Sequence, residues 1–162
     1  MSTEPLTPEA VTPEAVTPEP LDFQVTVDAE HPHDLAAWWA AALGWEVEPT
    51  DEAFIRRMLA EKYATEDETM TYGGALVWKA GAAIRHPAGP DSGRPRVLFQ
   101  LVPEPKTVKD RVHLDLRPAP GGADALVQRL TASGATVLHR ASQGPHHWVT
   151  LADPEGNEFC VG

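Results

Sequence analysis

A chain of 162 residues is long enough for one compact domain or two small, closely packed halves. With 42% apolar residues and five tryptophans it can build a core, and its formal charge of −11 argues against nucleic acid and anionic membrane as partners. The single cysteine, Cys160, rules out an internal disulfide and suits a reducing cytoplasm; no apolar run reaches membrane-spanning length, and no signal peptide is expected.

Residues 1–20 hold a short tandem repeat, Thr7-Pro8-Glu9-Ala10-Val11 followed by Thr12-Pro13-Glu14-Ala15-Val16 and Thr17-Pro18-Glu19. Five prolines, four glutamates and no Lys or Arg give this stretch too little apolar surface to offset its ordering entropy, so it reads as a disordered tail. Without it the remainder carries a charge near −7.

Residues 22–28 alternate, with Phe23, Val25 and Val27 on a packed face and Gln24, Thr26 and Asp28 on the other. Pro32 and Asp34 open a helix that Gly44 ends. Leu35, Trp38, Trp39, Ala42 and Leu43 form its apolar stripe, which marks both tryptophans as core. His31 and His33 flank Pro32 and read as surface. A second strand is expected over 45–50. Residues 51–64 have helical spacing (Phe54, Ile55, Met58, Leu59, Tyr63) and an i,i+4 pair, Glu52 and Arg56. They read as an extra amphipathic helix that covers core, with a lid or a dimer contact as the functional alternative. A strand with indistinct ends is expected over 71–83 and a Gly/Pro-rich turn over 86–95. The next strand, over 96–102, has Val97, Phe99 and Leu101 on one face and Leu98, Gln100 and Val102 on the other.

After a proline-bearing link, residues 110–117 alternate Val112, Leu114 and Leu116 with His113, Asp115 and Arg117. A helix over 123–133 stops at Gly134, and strands follow over 136–141, 147–152 and 158–161. Asp153-Pro154-Glu155-Gly156-Asn157 is built of turn residues. Each half therefore reads strand, helix and three strands, an α+β pattern. The expected domains are a tail over 1–20 and a folded unit over 21–162, with one module over 21–104 and a second over 110–162.

In order and spacing, three stretches resemble the vicinal-oxygen-chelate superfamily of glyoxalase and bleomycin-resistance proteins, and most closely the glyoxalase-like subgroup common in actinobacteria. They are the helix 35–45, which ends Leu43-Gly44-Trp45; the run 99–106 leading to Arg111-Val112-His113-Leu114-Asp115-Leu116; and Asp153-Pro154-Glu155-Gly156-Asn157-Glu158-Phe159. The resemblance covers about 22–162 and implies two tandem βαβββ modules that form a cleft. It also implies a divalent metal (Zn, Ni, Mn or Fe) held by the first and last strands of each module, which polarises two neighbouring oxygens of a substrate. The positions that match are Gln24, Gln100, His113 and Cys160, with His113 the usual ligand type and Gln24 acceptable.

That quartet contains no carboxylate, and Cys160 stands where metal-dependent members offer Glu. The ligand chemistry thus favours a small-molecule-binding protein that uses the cleft without a metal. The alternative is a metal-dependent lyase, isomerase or dioxygenase of the glyoxalase kind, anchored by His113 and assisted by Gln24. A third reading is an interaction module acting through its acidic tail. Thr26 shares the face of Gln24. Asp115 shares the face of His113, and the two could act as acid and base. Trp148 and Thr150 alternate with Val149 and Leu151 and are expected to line the cleft, Trp148 as a stacking surface. The adjacent His146 and His147 point to opposite faces and do not chelate together. A homodimer is expected from the resemblance and from the frequency of twofold assemblies.

Overall fold

A computed structural model describes residues 21–162; the tail expected over 1–20 lies outside them. In chain order the elements are β1 (Val25–Ala29), α1 (Pro32–Leu43), β2 (Glu46–Val47), α2 (Glu52–Ala60), β3 (Thr69–Tyr72), β4 (Ala75–Trp78), β5 (Gly81–Arg85), β6 (Val97–Leu101), β7 (Asp115–Leu116), α3 (Ala123–Ala132), β8 (Thr136–Gln143), β9 (His146–Ala152) and β10 (Glu158–Val161). Two four-stranded sheets have the same design, β1-β6-β5-β2 and β7-β10-β9-β8. In each the first strand runs parallel to the last and the other pairs are antiparallel. A parallel pair needs a crossover, and each module's helix lies within it. This is an α+β architecture of two βαβββ modules.

The helices α1 and α3 lie on the covered sheet faces, and one core joins them. Leu35, Ala36 and Trp39 of α1 pack with Ile84, Val97 and Phe99 of module one, and also with Val127, Leu130, Leu151, Phe159 and Val161 of module two. Trp39 bridges the halves: its ring lies 5.1 Å from Phe159, and its Nε1 donates to Asp153 Oδ2 at 2.9 Å. Trp38 donates from Nε1 to Ser133 O at 2.8 Å. Arg129 of α3 donates to Ala41 O and Ala42 O at the C-terminal end of α1, where a cation complements the helix dipole. Gly44, at φ +67°, then ends α1 in the left-handed conformation.

The turn between β9 and β10 fastens module two to module one. Asp153, which is buried, also accepts from the backbone N–H of Glu155 and of Asn157, at 3.0 and 2.9 Å. Glu155 accepts from Glu30 N and His31 N at 2.8 and 2.7 Å, the backbone that leads into α1.

Several local expectations change. Phe23 is 72% exposed, because the ladder to β6 begins only at Val25 N, which donates to Arg96 O. The second strand keeps only two residues before Pro49, and the inserted helix ends at Ala60, short of an exposed Tyr63. The run 71–83 is three strands rather than one. Gly73 and Gly74, both at positive φ, close the β3–β4 hairpin, and Lys79-Ala80 turn the chain into β5. Gly81 is needed there, since a Cβ would lie 2.4 Å from Phe99 O. His33 is buried rather than on the surface: the hairpin lays Tyr72 over its ring at 4.9 Å, and its Nε2 lies 2.9 Å from Trp78 O.

The expected strand over 110–117 is paired only at Asp115–Leu116. The reason is a pair of contacts between residues 48 apart in the chain. Glu158 N donates to the Asp110 carboxylate at 2.9 Å, and Asp110 N to the Glu158 carboxylate at 3.0 Å. The ladder therefore starts two residues later, with Cys160 N donating to Leu114 O.

Asp153→Ala would leave the Trp39 indole N–H and two turn amides without partners. It is expected to cost about 3 kcal/mol in urea unfolding, whereas Trp39→Phe, which keeps most of the packing, is expected to cost about 1–2 kcal/mol. Equal small losses for both would show that the clamp does not hold the modules together.

Candidate functional site

Each sheet turns one face to the core and leaves the other open. On module two the open face carries His113, Asp115, Trp148, Thr150 and Cys160, which line one cavity of about 690 Å³. Pairing sets their order: Cys160 lies opposite Asp115 on β7 and opposite Thr150 on β9, and His139 on β8 lies opposite Thr150. The face is wired by hydrogen bonds. His113 Nδ1 lies 3.0 Å from Asp115 Oδ1. The buried Thr150 hydroxyl bridges His139 Nε2 at 3.2 Å and Cys160 Sγ at 3.5 Å.

Of the candidates read from sequence, these five share the cavity and the three on module one do not. Gln24 is held on its own sheet: its Oε1 accepts from Arg96 Nη1 at 2.9 Å and its Nε2 donates to Thr26 Oγ1 at 3.4 Å. Arg96 is itself anchored to Glu48 at 2.9 Å, so the one Gln24 atom suited to a metal is already in use. Gln100 is exposed and lies opposite Asp28 and Gly81. Thr26 and His113 both border a second crevice of about 490 Å³ between β1 and the 104–114 segment.

Sequence reasoning passed over His139, Lys109 and Arg117, which line the module-two cavity, and gave no ligand role to His146 and His147, which also line it. Lys109 carried no signal of its own, and Arg117 stood in the pattern only as a polar position. His139 faces Thr150 only because the β8–β9 register shifts between Val137 and His139, which alternation alone does not reveal.

One ring nitrogen of His113, a carboxylate oxygen of Asp115 and Cys160 Sγ lie within 4.8 Å of one another. A tetrahedral ion with bonds of roughly 2.0–2.3 Å needs donors roughly 3.3–3.8 Å apart. Closing the trio by about an ångström is within reach of the exposed His113 and Asp115 side chains. Imidazole, thiolate and carboxylate suit a borderline-soft divalent ion and leave a fourth position open, so the residues present fit such a metal.

Beside the cavity sits a compact charged cluster. Lys106 Nζ lies 2.9 Å from Glu158 and 3.9 Å from Asp110. The Lys106 ammonium holds the Glu158 carboxyl down to about 2, against an ordinary 4.5. Burial, and then the neighbouring Glu158, push Asp110 up. A carboxyl lowered on folding stabilises the fold above its unfolded pKa. That contribution is lost as pH falls from about 4.5 toward 2. The raised Asp110 acts in the opposite sense and softens the loss. Lys106→Met would leave two facing carboxylates unneutralised. It is expected to cost about 2 kcal/mol at neutral pH and to move the acid-unfolding midpoint upward, read by circular dichroism across a pH series. An unchanged midpoint would mean that Glu158 is held by its backbone contacts alone.

The glyoxalase-like domain family matches residues 24–162. No curated protein sequence matches significantly. Among solved structures, a possible glyoxalase from Bacillus cereus superposes with a TM-score of 0.52 at 13% identity, over 85% of this chain and 94% of that one. A glyoxalase/bleomycin resistance protein/dioxygenase family enzyme from Burkholderia phytofirmans gives 0.53 at 15%, over 85% and 94%. A mutant of the fosfomycin resistance protein FosX from Listeria monocytogenes, complexed with Mn(II) and a dihydroxypropylphosphonic acid, gives 0.57 at 10%, over 90% of each chain. At these identities the likeness is one of fold. Among the described residues no helix is long and apolar enough to cross a membrane.

Proposed function

This chain belongs to the glyoxalase-like domain family of the vicinal-oxygen-chelate superfamily, and from that premise we propose that it binds a small molecule on the open face of module two. The carrying observation is the cavity of about 690 Å³, within the size range of small-molecule sites, with Trp148 as an apolar wall and His113, Asp115, Thr150 and Cys160 as polar contacts. Such a site needs no metal: the wired hydroxyl, thiol and imidazole can orient a ligand by hydrogen bonds. A homodimer is part of this proposal, supported by the exposure of Phe23 and Val112 beside the modules' first strands. A cytoplasmic setting is also part of it, supported by the single cysteine. Screening flat aromatic compounds by thermal shift and calorimetry should yield binders that Trp148→Ala weakens about tenfold, the loss expected when one stacking surface is removed. Binders indifferent to Trp148→Ala would place the ligand elsewhere.

One observation favours a second reading. His113, Asp115 and Cys160 bring three metal-ligating atoms together, with a carboxylate that the sequence quartet lacked. In that reading they would hold a divalent ion, whose role would be to polarise a ligand oxygen. Chelator-stripped protein would be titrated with Zn, Ni, Mn and Fe(II). One-to-one binding at micromolar affinity or tighter is expected, lost in His113→Ala and Cys160→Ser and unchanged in Gln24→Ala, whose amide oxygen serves Arg96. Binding that resists His113→Ala, or depends on Gln24, would sink this trio as the metal site.

A further inference from the structure

The cavity of module two brings two cationic side chains and four imidazoles together in a chain whose formal charge is −11. Lys109 and Arg117 line it together with His113, His139, His146 and His147, four of the chain's seven histidines. Its two side-chain carboxylates are both hydrogen-bonded, Asp115 with His113 at 3.0 Å and Glu158 with Lys106 at 2.9 Å. Neither Lys109 nor Arg117 belongs to an ion pair among the described residues. Arg117 also borders an adjoining groove, with Arg94 and Arg129, in which Asp115 is the only acid among the lining residues. In a chain with so many acids, two cations outside any ion pair at one opening give an anion a local point of attraction.

We propose that the ligand of this cavity is anionic, a carboxylate- or phosphate-class group carried on a flat apolar body. This deepens, and rests on, the reading of module two's open face as the ligand site. Arg117 and Lys109 take the anionic group, the guanidinium by its paired N–H donors. The imidazoles supply further N–H donors, and Trp148 supports the apolar body. The Thr150 hydroxyl and the Cys160 thiol, already tied to each other at 3.5 Å, face the ligand's polar edge. A neutral ligand of the same shape would bury the cations beside it without compensation, and that difference selects for charge.

The test is calorimetry of the full chain with three matched probes, 2-naphthoate, 2-naphthyl phosphate and neutral 2-naphthamide, at low and high salt. At least one anion is expected to bind about tenfold tighter than the amide at low salt, which corresponds to about 1.4 kcal/mol. Which of the two leads distinguishes carboxylate from phosphate recognition. The advantage is expected to shrink at high salt and to vanish in Arg117→Gln, while Trp148→Ala weakens all three probes alike. If Arg117→Gln shifts the unfolding midpoint, Lys109→Gln and the salt dependence of the wild-type chain carry the same comparison. Equal affinity for the three probes, still weakened by Trp148→Ala, would overturn the anion preference and leave the site standing. Binding of none, or binding untouched by Trp148→Ala, would overturn the site reading and the preference with it.

Discussion

The buried carboxylate of Asp153 is the constraint on which the rest of the molecule depends. A carboxylate taken out of water must be fully hydrogen-bonded, and here its donors come from both halves: the Trp39 indole of module one and the backbone of module two's own turn. Glu155, two residues on, holds the backbone that enters α1. One five-residue turn therefore sets where α1 sits, and α1 then fills the core of both modules at once. Burial against two sheets explains why a helix so rich in alanine carries two tryptophans.

With α1 and α3 on the covered faces, the open faces are left for chemistry. On module one Gln24, Arg96 and Glu48 form a closed set. The polar residues of module two are also bonded to one another, but they surround a cavity. Module two's β7 is paired for only two residues, because Asp110 and Glu158 occupy each other's backbone N–H groups. His113 lies just outside that ladder, exposed, and borders both the cavity and the inter-module crevice. The Lys106–Asp110–Glu158 cluster is in this sense a positioning device, since it fixes where the strand begins and so where His113 and Asp115 can reach Cys160. The inserted α2 and its hairpin sit on module one, where Tyr72 covers His33 and bonds Asp34 at the start of α1. Burial, and then the bond to Asp34, raise the pKa of Tyr72.

Much of this was legible in the residues. Alternation and helical spacing marked the elements of both modules, and Gly44 and Gly134 marked helix ends. The repeated strand–helix–three-strand order carried the architecture. Alternation also placed His113, Asp115, Thr150 and Cys160 on open faces, because the side-chain period of a strand depends on backbone geometry alone. Elements with weak or competing local signals were read less well. Two adjacent glycines inside an apolar run mark a hairpin only if the flanking segments pair. Phe23 and Val112 looked packed because alternation says which face a residue is on, not whether anything covers that face.

By itself the sequence determined the repeated plan of the two modules, apart from the β3–β4 hairpin inserted in the first, and the side of each strand from which its polar residues point, since these follow from local backbone periodicity. Only the tertiary structure decided which of those residues meet. Gln24 is taken by Arg96 and Gln100 stays on the sheet of module one, while His139, Lys109 and Arg117 join His113 and Cys160. The physical reason is that strand register, the shift between Val137 and His139, and the carboxylate contacts at Asp110 and Asp153 link positions more than 10 and up to 114 residues apart, and no local pattern in the chain encodes such distances.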